Sequence, residues 1–305
     1  MTLSRGLRAF LTAVTALGMA VIYIPLLLVL VNSFNTSQSF AWPPEGLTLR
    51  WWRAAARSSG AKEALQVSVE VALLATLIAL VLGTMCAMAL TRYSFFGRNS
   101  ISLLVILPIA LPGIVTGIAL NNAFRTIFGW ELGFLTIVVA HATFCIVTVF
   151  NNVQARLRRV GTTLEEASAD LGAGALTTFR LVTFPMLRSA LLAGGLLSFG
   201  LSFDEIIVTT FTAGTEQQTL PIWIFANLFR PNQTPVVNVV AAAVKVVTMI
   251  SSKLSAKASS APAIRAERRP GKVTRRNVCH GLAPRSAEAS SNEPESRRRR
   301  AITLL

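Results

Sequence analysis

Two adjacent carboxylates, Asp204 and Glu205, lie in the interior of the apolar stretch 190–212. An ionised carboxylate in hydrocarbon costs roughly 2.5 to 3.5 kcal/mol, so the pair requires water, a cation or a basic partner. We expect Asp204, with Glu205 beside it, to face a pathway and to attract ammonium groups. The alternative is a hydrogen bond or an ion pair to another helix. Glu70 is a weaker candidate for the same pathway, with interfacial solvation as its alternative.

The other reactive side chains form no recognisable catalytic or metal-binding set. His141, which we expect to be a hydrogen-bonded packing residue, and His280 both lack partners at ligand spacing. Cys86 and Cys145 lie in apolar stretches, where buried, inert thiols are expected, and Cys279 lies in a polar segment. No Gly-x-x-x-x-Gly-Lys-Ser/Thr run occurs. We therefore expect no enzymatic activity, no bound cofactor and no metal in this chain.

Six apolar stretches predict an all-α membrane protein, because about 20 apolar residues cross the hydrocarbon core of a bilayer. The chain is 52% hydrophobic and only 14% charged, whereas soluble domains carry about 25% charged residues. Pro108, Pro112, Gly113 and Gly117 predict a kink in the third span, or a bend that shapes a substrate pathway. The sixth span is short and contains Lys245. The predicted spans are 10–31, 64–90, 101–120, 132–150, 190–212 and 235–250.

Charges in the short loops predict that both termini lie in the cytoplasm. Arginines precede the first span and cluster between spans two and three and between spans four and five, whereas the loops on the other side have only Arg125 and Arg230. The long segment 32–63 disagrees, because it carries four basic residues, which we assign to an interfacial helix. All five tryptophans fall in segments that this orientation places outside.

The net charge of +15 is concentrated in a basic tail. Residues 251–305 hold 13 of the 29 Lys and Arg but only 4 of the 14 Asp and Glu, which argues against a nucleic-acid-binding face. We predict three regions: an N-terminal span with an outer segment (1–63), a transmembrane core (64–250) and a disordered tail (251–305). The tail is explained either by a frameshift near the end of span six or by an extension that binds anionic lipid.

The polar segment between the fourth and fifth spans has a helical pattern of its own. Two threonines precede Glu165 and Glu166, which predicts a helix start of the capping-box type. A narrow stripe of small and apolar residues then recurs at helical spacing, and Gly172 ends the helix. A second short helix is expected over 175–181, closed by Pro185. The segment should therefore form a bent helical pair that projects from the membrane.

Within this pair, Glu166-Ala167-Ser168 is followed after three residues by Gly172 and after nine more by Val182-Thr183-Phe184-Pro185. This arrangement resembles the EAA loop of ABC importer permeases, whose pattern is Glu-Ala-Ala, three residues, Gly, nine residues, Ile-x-Leu-Pro. Serine, valine and phenylalanine stand here for the second alanine, the isoleucine and the leucine. In that family the loop docks into a groove on the ATPase subunit. The resemblance therefore implies the docking residues Glu165, Glu166, Ala167, Asp170, Leu171, Gly172 and Pro185.

The chain is most similar to permeases of the spermidine/putrescine type, over residues 10–250. This resemblance implies an inner-membrane permease that moves a small cationic solute by alternating access, driven by ATP hydrolysis in a separate chain. The implied partners are that ATPase, a second permease subunit and a periplasmic or lipid-anchored solute-binding protein, with membrane lipid around the bundle. The alternatives are a permease for an opine, thiamine or ferric ion, and a membrane scaffold or channel that does not transport actively.

Overall fold

The computed structural model describes residues 4–38, 42–215, 217–230 and 233–260, and these ranges are almost entirely helical. The helices are α1 (Arg5–Asn32), α2 (Arg50–Arg57), α3 (Ser59–Arg92), α4 (Arg98–Ala110), α5 (Gly113–Asn122), α6 (Phe134–Val160), α7 (Thr163–Asp170), α8 (Ala175–Thr178), α9 (Phe184–Phe203), α10 (Ile207–Thr212), α11 (Leu220–Asn227) and α12 (Thr234–Ser260). Short π-helical turns, Ala123–Ile127 and Phe179–Thr183, follow α5 and α8.

Five helices in the described ranges are long and apolar enough to cross a membrane: α1, α3, α6, α12 and the continuous segment Ala175–Phe203. The third predicted span is instead a pair, α4 and α5, bent by 107°. Six crossings are present only if this bent pair counts as one. The sixth span is longer than predicted, since α12 continues ten residues past 250 and the predicted border between core and tail falls inside it.

The bend in the third span occurs at Pro112, whereas Pro108 is tolerated inside α4. Leu111 precedes that proline and has the extended backbone (φ −83°, ψ 145°) that a following proline favours. After the bend, α5 packs across α10. A Cβ atom on Gly117 would lie 2.6 Å from the ring of Phe211, so the bare glycine is what allows this contact.

The centre of the bundle is formed by α3, α6 and α9. Small residues recur every fourth position along the face of α3, at Ala75, Ala79, Gly83 and Ala87, and all four are buried. A Cβ atom on Gly83 would lie 2.9 Å from a backbone oxygen of α6, at Ile146. Such small faces let helices approach closely in a membrane, where burial of apolar area gives no advantage over lipid. Close backbone packing therefore stabilises this core.

The helices define two ends of the bundle. The last residues of α3 and α6 meet beside α7, because the Arg92 side chain donates to the carbonyl of Gly161 at 2.7 Å; we call this the α7 end. The opposite end, here the α2 end, contains α2 and α11, where Gly60 packs on Trp223. Trp51 and Trp52 lie in α2 itself, and Trp42 and Trp130 lie in the connecting segments of this end. The tryptophans therefore share one end, as their assignment to one side predicted.

Candidate functional site

The first helix of the EAA loop, residues 161–185, is α7. A glycine in the left-handed conformation terminates this helix. The helix starts where predicted, but the side chain of its N-cap residue, Thr162, makes no capping bond. At the other end Gly172 has φ +78°. Its N–H donates to Ala169 O at 2.8 Å, and the N–H of Ala173 donates to Ser168 O at 3.1 Å. These two bonds form a Schellman motif, which favours glycine at the left-handed position.

Glu165 connects the EAA loop to the transmembrane bundle. One carboxylate oxygen lies 2.8 Å from Nε of Arg92, at the end of α3, and the other accepts from the hydroxyl of Thr183 at 2.8 Å. The two ion-pair side chains are only 12% and 18% exposed. Arg92 also donates to Gly161 O. Glu165 was predicted to face a partner, but its carboxylate points inward and ties α3, α6 and the start of α9 together.

The other predicted docking residues lie at the surface. Glu166, Ala167, Asp170 and Gly172 are exposed, and Pro185 is half-buried. The Leu171 side chain is 88% exposed. Leu164 and Leu176 are also exposed, so acidic and apolar side chains share this surface. A hydroxyl–hydroxyl bond of 3.0 Å between Ser168 and Thr178 holds α7 against α8.

Pro185 does not close a second short helix, so that prediction was wrong. The helix that begins at Ala175 continues through the π-helical turn Phe179–Thr183 and into α9. Pro185 is the second residue of α9 and follows the π-helical turn closely, so the proline, which has no N–H to donate, lies where the hydrogen-bond spacing of the continuous helix changes. The EAA loop is therefore continuous with a rod of 29 residues, Ala175–Phe203.

The fifth predicted span is interrupted, and the interruption contains both candidate carboxylates. The helix α9 ends at Phe203, and residues 204–206 separate it from α10. The prediction that Asp204 and Glu205 lie inside a continuous helix was therefore wrong. Glu205 accepts a hydrogen bond from Val208 N at 2.9 Å and so caps the start of α10. Asp204 remains exposed.

Asp204 lines a groove of about 290 Å³ between α1, α9 and α12, which we call the Asp204 groove. Its other polar side chains include Lys245, Thr248 and Ser252 from α12. Glu70 is absent from the lining of this groove; it is exposed on α3 and accepts from Gln66 Nε2 at 2.8 Å. Of the three candidate carboxylates, the groove is therefore lined by Asp204 and not by Glu205 or Glu70.

His141 is fully buried on α6 and hydrogen-bonded at both ring nitrogens, as predicted for a packing residue. Nδ1 lies 2.8 Å from the hydroxyl of Ser202, and Nε2 lies 2.8 Å from that of Thr209. Those two residues flank the 204–206 break on opposite sides. His141 therefore fixes the ends of α9 and α10 relative to each other, a role that its position in the sequence does not indicate.

No group of three or more His, Cys, Asp or Glu in the described ranges could hold a metal ion. Cys145 is buried, as expected, whereas Cys86 is only partly buried. The remaining titratable candidates of this type, Cys279 and His280, lie outside the described residues.

Comparison with known proteins identifies the family. Residues 79–261 match the family described as binding-protein-dependent transport system inner membrane component. The putrescine transport system permease protein PotI of Escherichia coli K12 is 34% identical over 253 residues, covering 79% of this chain and 89% of the relative. The spermidine/putrescine transport system permease protein PotC of the same organism is 33% identical over 241 residues, with the same coverage of both chains.

Solved structures share the fold at lower sequence identity. A chain of a bacterial ABC transporter involved in the import of the acidic polysaccharide alginate matches with a TM-score of 0.62 and 15% identity, covering 84% of this chain and 99% of that one. The MetNI methionine ABC transporter matches with a TM-score of 0.52 and 16% identity, covering 66% and 93%. The resemblance that the EAA loop indicated is confirmed: this chain belongs to the binding-protein-dependent transport system inner membrane component family and is a multi-pass permease subunit of an ABC importer.

Proposed function

We propose that this permease carries a polyamine such as putrescine or spermidine across the inner membrane, and that α7 couples it to a separate ATPase subunit. The observation that carries the coupling proposal is the construction of the EAA loop. Glu165 holds the base of α7 to the bundle through Arg92 and Thr183, while the opposite surface of α7 is exposed. A partner that binds this surface therefore pushes on the transmembrane helices rather than on a free loop.

The direction of the push follows from the helix that leaves the loop. Ala175–Phe203 is continuous, so at 1.5 Å per residue it is about 43 Å long. It runs from the surface of α7 to Asp204, which follows its last residue. Displacement of the EAA loop along this helix moves the Asp204 groove. ATP is used by the partner, and this chain binds no cofactor and performs no catalysis.

The cargo proposal rests on charge and on the relatives. PotI and PotC are named for putrescine and for spermidine with putrescine, and each is at least 33% identical to this chain. Asp204 offers a carboxylate that is exposed in the groove rather than used as a helix cap. A carboxylate in a membrane is costly unless a cation or water compensates its charge, and polyamines carry ammonium groups.

The remaining members of the importer are proposed from the family. They are a second permease subunit and a periplasmic or lipid-anchored solute-binding protein on the side of the α2 end. Both termini lie in the cytoplasm in this arrangement, and the EAA loop faces the ATPase there. The arginines at the α7 end support this orientation, because cytoplasmic loops are enriched in basic residues.

Cysteine crosslinking tests the coupling. The variant Ala167→Cys, made in a chain whose native cysteines are replaced by alanine, should crosslink to the ATPase subunit of the assembled importer. Ala56→Cys, which is exposed on α2 at the opposite end, is the matched control and should not crosslink. Crosslinking at neither site, in an importer that still hydrolyses ATP, would remove the docking role of α7.

Uptake of radiolabelled putrescine and spermidine tests the cargo. Wild type should accumulate at least one of them in an ATP-dependent manner, and an excess of unlabelled opine, thiamine or ferric ion should not compete. Asp204→Asn should reduce uptake at equal expression, whereas Asp204→Glu should retain most of it. Equal transport by Asp204→Asn and wild type would exclude Asp204 as a cargo contact, and absence of polyamine uptake by wild type would exclude the cargo.

A further inference from the structure

Lys245 is a charged residue in the middle of a membrane-spanning helix. It lies eleven residues into α12, about 16 Å along a helix of about 40 Å, and its side chain is exposed to the grooves around it. A basic side chain at this depth costs roughly 2.5 to 3.5 kcal/mol without a partner. Snorkelling to an interface is least effective from the centre of a span. A nearby counter-ion is therefore required.

The counter-ion that the structure offers is Asp204. Lys245 lines two grooves, the Asp204 groove and an apolar one between α1, α11 and α12, and among their lining residues Asp204 is the only acid. Lys245 and Asp204 are the two charged residues among those that line the Asp204 groove, and they lie there without a direct ion pair. Glu205 is already engaged by Val208 N. Lys245 and Asp204 thus form the main pair of opposite charges in this groove.

The serine and threonine hydroxyls of the Asp204 groove are arranged to accept rather than to donate. Thr248 donates its hydroxyl proton to the carbonyl of Lys245 at 3.1 Å, Ser252 to Met249 O at 2.9 Å, and Ser251 to Leu196 O at 2.6 Å. A hydroxyl that donates to the backbone keeps its lone pairs for other partners. Together with the Asp204 carboxylate, these oxygens favour a ligand that carries N–H donors, as an ammonium group does.

We infer that Lys245 is a tethered competitor of the cargo: from its position in the same groove, its ammonium group on a flexible side chain competes with a cargo ammonium for the Asp204 carboxylate. This inference rests on the proposed transport of a polyamine. When the groove is empty of cargo, the positive charge of Lys245 compensates the negative charge of Asp204 across the groove. The cargo must displace Lys245 to bind, which weakens cargo binding, and Lys245 then returns and speeds release.

The test is the concentration dependence of uptake by the complete importer in proteoliposomes, with radiolabelled putrescine as the probe. Lys245→Met should lower KM about fivefold, which corresponds to about 1 kcal/mol, and should lower kcat because release is slower. Lys245→Arg keeps the charge and should retain a KM within twofold of wild type. Lys253→Met, on the same helix but outside the groove lining, is the matched control and should leave both constants unchanged.

A purely structural ion pair gives a different result. In that case Lys245→Met would reduce the amount of folded permease but leave KM unchanged in the molecules that fold, and this outcome would overturn the inference. An increase in KM would also overturn it, because it would make Lys245 a favourable contact for the cargo. Failure of the proposed function is distinguishable, since the wild-type importer would then show no putrescine uptake from which a KM could be measured.

Discussion

The left-handed glycine at the end of α7 allows a prediction whose magnitude follows from the backbone alone. Gly172 has φ +78°, and a Cβ atom added there would meet nothing within 4 Å. Gly172→Ala therefore introduces no clash, and its cost is that of placing alanine in the left-handed region, roughly 1 to 2 kcal/mol. Alanine also lowers the conformational entropy of the unfolded chain relative to glycine. This effect stabilises the folded state by about 0.4 to 1 kcal/mol and partly offsets the cost. The net destabilisation of the loop end should be about 1 kcal/mol.

A control for this substitution lies two residues further along the chain. Gly174 has φ −69° and ψ 162°, a conformation that alanine adopts freely, and a Cβ atom there also meets nothing within 4 Å. Gly174→Ala should therefore be neutral or slightly stabilising. The two substituted positions differ in backbone conformation, but both are exposed, both lie in the same loop and both receive the same alanine side chain.

Hydrogen exchange in nanodiscs, followed by mass spectrometry, measures the effect directly. The N–H groups of Gly172 and Ala173 close the Schellman motif, so 1 kcal/mol of destabilisation should raise their opening population about fivefold in Gly172→Ala. ATP-driven uptake should fall in the same variant, because α7 is held less firmly. Equal exchange in the two alanine variants would refute the claim that the left-handed backbone, rather than the glycine itself, matters here.

Three further predictions test the packing, each by thermal unfolding in detergent. Arg92→Gln and Glu165→Gln should each destabilise the protein, and a double-mutant cycle should give a coupling energy of about 1 to 2 kcal/mol; additivity would contradict the clamp. His141→Ala should lower Tm by removing two buried hydrogen bonds, and an unchanged Tm would contradict the role of the ring. Gly117→Ala should destabilise by about 1 to 3 kcal/mol through its 2.6 Å contact, whereas Gly113→Ala, at 3.4 Å, should be mild; equal effects would contradict the close packing of α5.

The positions of the spans could be predicted because hydropathy depends on composition over about 20 residues. The EAA loop could be predicted because its signals are local: Gly172 ends α7 through its own backbone conformation. The inward orientation of Glu165 could not be predicted, since it depends on Arg92 and Thr183, which come from other helices. The position of a residue along its helix determines the direction in which its side chain projects, but not which residues of the neighbouring helix it contacts.

The small-residue face of α3 was available in the sequence and was missed. Alanine or glycine at every fourth position from Ala75 to Ala87 is the pattern of a close helix contact in a membrane, but it does not stand out in a stretch read only for hydropathy. The continuation through Pro185 was missed for the opposite reason. A proline usually ends a helix, but here the helix continues past Pro185 after the π-helical turn Phe179–Thr183, which the residue types do not predict.

The break at Asp204 shows why a membrane carboxylate can be located but not assigned from sequence. An acidic pair inside an apolar stretch has two ways to avoid hydrocarbon: it can bind a cation, or it can interrupt the helix and bond to backbone N–H groups that the interruption frees. Glu205 does the second, since Val208 N donates to it. Asp204 shares its groove with Lys245, a residue 41 positions away that has no periodic relation to it in sequence. The two carboxylates therefore have different environments: Glu205 bonds to the backbone, and Asp204 lines a groove together with α12. The second environment depends on how α12 packs, which cannot be predicted from positions in the sequence.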